Sequence, residues 1–180
     1  MLKITIPAVE EWDEARQEFI STKETELCLE HSLVSISKWE SKWHKHFIGN
    51  RDLTSEMLID YIRCMTLTQN VNPEVYYTMN DDIITQIKNY IDDAQSATWF
   101  AESNEKKYSR DIITSEIIYY WMIALQIPFE CQKWHLNRLL TLIRVCNEKN
   151  QPEKKMSQAE VMRRNRELNE ARRRALNTRG

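Results

Sequence analysis

Residues 109–147, SRDIITSEIIYYWMIALQIPFECQKWHLNRLLTLIRVCN, decide the fold class, because they read as a helical hairpin. The first arm carries Ile113, Ile117, Tyr120, Trp121 and Ala124 at three- and four-residue steps; the second carries Leu136, Leu139, Leu140, Ile143 and Cys146 likewise. Both stripes are wide enough to be core faces. Pro128 has no amide hydrogen, so it cannot continue a helix interior, yet it suits the first turn of the next helix. The spacing therefore predicts a break near residues 126–128, with the two arms as antiparallel neighbours and the remaining segments packed on them.

Downstream, residues 149–156 contain Pro152, are mostly polar and read as a linker. Ser157 and Glu160 then form an S-x-x-E capping box, in which each side chain satisfies a backbone amide of the other's turn. A helix over 157–177 is expected, basic and thinly amphipathic: Val161, Leu168 and Ala175 recur at sevens, with Met162 and Leu176 beside them. So thin a stripe does not secure a helix firmly on a body, so this arm is expected to be mobile or to await a partner. From Gln151 onward nine basic residues face four glutamates, a net +5, and the chain's total of −2 leaves −7 for residues 1–150. An acidic body thus carries a basic arm.

Upstream, Leu2, Ile4 and Ile6 alternate with Lys3 and Thr5 and predict a short strand ending at Pro7, and Thr25, Leu27 and Leu29 predict a second that pairs with it. Between them AVEEWDEARQEFIS, with Trp12, Ala15 and Phe19 on one side, predicts a short helix or a structured loop. From Ser32, a helix is expected to place Leu33, Ile36, Trp39 or Glu40, Trp43 and Phe47 on one face and to end before Gly49. The Trp39/Trp43 pair reads as core packing in preference to a binding stripe. TSEMLIDYIRCMT predicts a helix with Leu58, Ile59, Ile62 and Met65 on one face. Asn72–Pro73 opens a short turn, and Asn80 caps a helix carrying Ile83, Ile84, Ile87, Tyr90 and Ile91. Residues 94–108 read as a loop tethered by Trp99 and Phe100.

These readings together give a mainly α protein: a single-domain helical bundle (31–148) with a hairpin core, a small two-stranded β element in residues 1–30, and a protruding C-terminal helix.

Composition excludes several function classes. Two glycines in the whole chain are too few for the loops that bring backbone close to a nucleotide's phosphates, and no cofactor is expected. Cys131 and His135 stand four apart, as in half a metal site, but zinc needs three or four ligands and no second pair follows. His44 and His46 point apart on a helix. Asp81/Asp82, Asp92/Asp93 and Glu10/Glu11 read as helix-end and surface charges, and no nucleophile elbow or HExxH is present, so no enzyme is expected. No apolar run reaches membrane-spanning length, the start lacks the apolar core of a signal peptide, and the four cysteines show no CxxC pair; a cytoplasmic protein with reduced thiols is expected. The arginines of the arm suit phosphates, but neighbouring glutamates offset them and no aromatics interleave for base stacking. Protein contact ranks first for this arm, a plain solvated tail second and nucleic acid third.

The segments SLVSISKWESKWHKHF, YIRCMTLTQNVNPEVYY and ITSEIIYYWMIALQIPFECQKWHLNRLLTLIRVCN resemble small proteins encoded in the tail-morphogenesis modules of long-tailed bacteriophages, and the functional label nearest to them is tail assembly chaperone. The resemblance covers the chain from about Glu30 to the end and rests on general similarity, with no invariant functional motif. It implies a non-enzymatic protein of the host cell cytoplasm that holds the long helical tape measure protein while tail tube subunits assemble, then leaves. Many such genes also yield a longer product by ribosomal frameshifting. On this reading Val161, Met162, Leu168 and Leu176 anchor a helix-in-groove contact, flanked by Arg163, Arg164, Arg172 and Arg173. A homo-oligomer is compatible with the sequence. The alternatives are a structural tail or connector protein retained in the virion and a nucleic-acid-binding accessory protein acting through the arm.

Overall fold

The computed structural model describes residues 1–14, 17–50, 52–100, 112–150 and 158–176. Four strands, β1 (Leu2–Ile6), β2 (Val9–Asp13), β3 (Glu18–Thr22) and β4 (Thr25–Leu29), precede α1 (Leu33–Trp43), α2 (Ser55–Met65), α3 (Asp81–Asp92), α4 (Ser115–Ala124), α5 (Leu136–Asn150) and α6 (Gln158–Leu176). Short 3-10 turns lie at Pro73–Tyr77 and Phe129–Lys133. The chain divides into two units, Met1–Asn147 and Glu148–Gly180. The first is mainly helical and holds the β element together with the helical core.

β1 pairs antiparallel with β4 and β2 with β3, and the stagger is constant from Leu2↔Leu29 to Asp13↔Glu18. The two pairs thus form one ribbon in a single register, interrupted where Pro7 offers no amide to the ladder. Alternation decides which face is buried: Ile4, Ile6, Leu27 and Leu29 all join the core.

The step from β4 into α1 is held from two sides. The Glu30 amide donates to the Met65 carbonyl (2.9 Å) and the Leu67 amide to the Cys28 carbonyl (2.8 Å), joining this segment to the exit of α2. The Leu136 amide donates to the His31 carbonyl (2.7 Å), joining it to the start of α5. α1 then begins with a capping box, the Ser35 amide donating to Ser32 Oγ (3.3 Å) and the Ser32 amide to Ser35 Oγ (2.9 Å). Leu33, Ile36 and Trp39 are buried in the core, and Trp39 Nε1 donates to the Met57 carbonyl of α2 (2.9 Å). The indole is therefore core, as its helical spacing indicates.

Two buried carboxylates anchor α1 to its neighbours. Asp60 of α2 accepts from Trp43 Nε1 (2.8 Å) and pairs with the Lys42 ammonium. Glu40 accepts from two backbone amides, Phe47 (2.9 Å) and Ser115 (2.7 Å). Ser115 is the first residue of α4, whose N-cap residue Thr114 makes no side-chain capping bond, so Glu40 supplies from another helix the acceptor and negative charge that a helix N-terminus needs.

Several expectations change. The segment between β1 and β4 is the β2–β3 hairpin, not a short helix or loop; its Trp12 and Phe19 face each other across the strands and both are exposed. α1 ends at Trp43, because His44 takes a left-handed conformation (φ 52°). Phe47 consequently leaves the helix and stacks on Tyr61, ring centroids 3.9 Å apart, and His44 and His46 do not share a helix. α2 buries Met57, Asp60, Tyr61, Ile62 and Met65, a face rotated from the expected one, leaving Leu58 outside. α4 buries Ser115, Ile118 and Met122 while Tyr120 is 66% exposed; a segment apolar almost all round carries no period that selects a face. On α5 the expected Leu136, Leu139 and Ile143 are buried.

The expected hairpin is not the core: α4 and α5 are not packed on each other as neighbours, and the connection between them is longer than expected. α4 ends at Ala124, Gln126 is left-handed (φ 55°), and Pro128 introduces the 3-10 turn, so α5 starts only at Leu136. α4 and this turn lie against α1, which takes the central place expected of the hairpin. Residues 149–150, expected in the linker, complete α5. Trp99 is 83% exposed and tethers nothing, whereas the Phe100 ring receives the Arg144 guanidinium at 3.9 Å. The rest of the linker, Ser157 of the expected capping box and residues 101–108 of the expected loop lie outside the described residues.

Glu40→Gln leaves one acceptor oxygen for two buried amides and turns an NH2 group toward the other. It is expected to lower the free energy of unfolding by about 2–3 kcal/mol, read by urea denaturation. Glu130→Gln, at an exposed site, is the control and should change it by less than about 0.5 kcal/mol.

Candidate functional site

The densest cluster of titratable side chains is buried where β4, α2, α3 and α5 converge. His31 Nδ1 is hydrogen-bonded to the Tyr61 hydroxyl, and the His31 and His135 rings meet edge-on at 5.1 Å. His135 Nε2 donates to the Tyr90 carbonyl (2.9 Å), while its Nδ1 accepts from the Asn137 amide (3.3 Å), which fixes one neutral tautomer. Nearby, Glu30 accepts from the Tyr90 hydroxyl (2.7 Å) and pairs with the N-terminal amine (3.0 Å). His31 and His135 are only 3% and 5% exposed. Burial, reinforced by His135, holds the His31 pKa down at about 3, and burial pushes the Tyr61 and Tyr90 hydroxyls up. His31, Tyr61 and Tyr90 are thus kept neutral, and their hydrogen bonds join the exit of β4 to α2 and α3.

Cys131 lies in the 3-10 turn and His135 just before α5, so they do not share the helical face their spacing suggested. Among the described residues no group of three or more His, Cys, Asp or Glu side chains converges as a metal site. Burial raises the thiol pKa of Cys64 and of Cys131, the reverse of what an activated nucleophile requires.

The expected contact residues all sit on α6, where every described side chain from Val161 to Leu176 is exposed. Leu168 is 47% and Leu176 72% exposed, with Val161 and Met162 also outside. The helix brings Val161, Leu168 and Ala175 to one side by their spacing of sevens, and Arg163–Glu167 (3.7 Å) and Arg174–Glu170 (4.0 Å) pair along it. Arg164, Arg172 and Arg173 complete the basic surface of the same helix.

The body offers two apolar surfaces that the sequence reading missed. α2 and α3 line a groove of about 290 Å³ with Leu58, Ile59, Ile62, Ile84, Ile87 and Ile91, joined by the rings of Phe47 and Tyr61. In sequence these residues look like core; the available signal was that both helices carry wider apolar stripes than one shared interface consumes. Tyr120 and Ile123 of α4, three residues apart, are exposed outside the core and give the second surface. Among the described residues no helix is long and apolar enough to cross a membrane.

Comparison with protein-family models, with curated proteins and with solved structures finds no match to this chain.

The histidine cluster makes stability depend on pH with a definite sign. His31 is held below its ordinary value of 6.5, so the folded state binds fewer protons than the unfolded chain; its contribution is complete above pH 6.5 and is lost as the pH falls toward 3. Between pH 7 and 5 the unfolding free energy should drop by about 2 kcal/mol from this group. His31→Gln removes that part of the slope whatever it does to the plateau. Equal slopes in urea titrations of the two proteins would contradict the assignment.

Proposed function

We propose that this chain is a non-enzymatic tail assembly chaperone of a long-tailed bacteriophage, acting in the host cell cytoplasm. It engages the tape measure protein, and through it the assembling tail tube, by helix-to-helix contact. The observation that carries the reading is α6, a helix whose described side chains from Val161 onward are exposed and whose apolar positions lie between arginines. A helix of that composition gains burial only by meeting another surface. The anchors are Val161, Met162, Leu168 and Leu176, and Arg163, Arg164, Arg172 and Arg173 contribute charge steering at the rim. The resemblance of residues from about Glu30 onward to proteins of tail-morphogenesis modules supplies the identity of the partner.

Coexpression with the tape measure protein of the same phage is expected to render that protein soluble and to copurify it with this chain. The double variant Val161→Glu/Leu168→Glu, which leaves the body untouched, should reduce the recovered complex by roughly tenfold or more, the loss typical of truncating central anchors. Purified virions should lack the chain. An insoluble partner in the presence of folded wild-type chain would overturn the chaperone reading, and recovery of the chain from virions at stoichiometric levels would establish a structural tail or connector protein in its place.

A further inference from the structure

We propose that the groove between α2 and α3 is the docking site for α6 of a second copy of this chain, giving a two-fold dimer in which each arm lies on the other protomer's body. The inference does not rest on the chaperone reading and requires no phage partner. Three observations converge on it.

The first is geometric. One wall of the groove runs along α3 from Ile84 to Ile91, a seven-residue step, and the anchors Val161 and Leu168 of α6 are separated by the same step. Seven helical residues rise roughly 10 Å, so two successive anchors match the length of that wall. The second is apolar complementarity. The groove is apolar: Leu58 is exposed and Ile59, Ile84 and Ile91 are half-buried, while the buried Ile62 and Ile87 and the rings of Phe47 and Tyr61 complete its lining, and the arm's stripe of Val161, Leu168 and Ala175 is apolar and exposed. Neither surface is covered within its own unit.

The third observation is charge, and it selects the occupant. Residues 1–150 carry a net −7 and the remainder +5. Exposed carboxylates border the groove's two helices: Glu56 beside Ser55 of α2, Asp81 and Asp82 at the start of α3, and Asp92 and Asp93 following Ile91. α6 carries six arginines against three glutamates, and the single cation lining the groove, Lys88, can meet one of those glutamates. Two arms packed on each other would instead bring two positive helices together. The exposed Tyr120 and Ile123 of α4 offer apolar contact with only Glu116 as a carboxylate on that helix, a poorer match for an arginine-rich helix. Reciprocal exchange closes the assembly at two copies, the commonest symmetry of soluble oligomers, and leaves no open end for a filament.

The test uses the full chain. Sedimentation equilibrium in about 50 mM salt should give twice the 21.6 kDa mass of the chain, and the dissociation constant should rise at least roughly tenfold in about 500 mM salt as the rim charges are screened. Leu168→Asp and, separately, Leu58→Glu should each give monomers with unchanged circular dichroism of the body. A photo-crosslinking residue at position 168, in an equimolar mixture of 14N- and 15N-labelled chains, should yield links to residues 55–62 or 84–91 that join one label to the other. Links confined to a single label would show the arm folding back on its own body, and links to another α6 or to α4 would place it elsewhere. Either result, a monomeric wild type, or dimers that survive Leu168→Asp overturns the proposal.

Discussion

The body of this protein depends on a carboxylate where an all-apolar core would have none. Glu40 sits on the buried face of α1 among Leu33, Ile36 and Trp39, and its two oxygens take the amides of Phe47 and Ser115. A buried carboxylate is costly unless its acceptors are filled, and a helix N-terminus is costly unless its donors are; here each satisfies the other. One bond pins the segment after α1 in the position that lets Phe47 stack on Tyr61. The other sets where α4 begins. Asp60 does the corresponding work between α1 and α2 through Trp43 and Lys42. α1 is thus the hub, held by hydrogen bonds that dictate geometry as well as by burial that supplies driving force.

The same logic explains what could be read in the sequence. β1 and β4 were legible because one face is buried and the alternation of Ile4, Ile6, Leu27 and Leu29 records it. β2 and β3 were not, because Trp12 and Phe19, the large apolar residues that pair across them, are exposed and so record no buried face. Helix starts were marked by Ser32, Asn72 and Asn80, whose side chains accept from the amides they cap. The end of α1 was unmarked, since a histidine rather than a glycine takes the left-handed position and the bond from Phe47 to Glu40 is a tertiary effect. α4, apolar nearly all round, has no face to read until α1 chooses one. The arm was visible as an exposed amphipathic helix; the groove was hidden because the half-buried Ile59, Ile84 and Ile91 share their helices with the buried Ile62 and Ile87 and cannot be told from them in sequence.

On the functional side, buried polar groups and exposed apolar ones divide the labour. His31, His135, Tyr61 and Tyr90 are engaged with one another and with backbone, so they bind the fold together. Among the described residues, the arm, the α2/α3 groove and the outer side of α4 leave apolar side chains open to solvent. Such surfaces suit reversible association between helices. Charge of opposite sign on body and arm favours contacts between copies when no other partner is present and makes them sensitive to salt.

The most direct measurement on the central role of α1 is residue-resolved hydrogen exchange of the Phe47 and Ser115 amides. One lies in a segment outside any helix and the other at the first residue of a helix, where neither has a helical acceptor and exchange is ordinarily fast. If Glu40 holds them, both should exchange as slowly as the amides in the middle of α1, through global unfolding alone. Exchange at the rate of an open loop, with α1 still protected, would show that the carboxylate does not bind these segments and that α1 is not the hub described above.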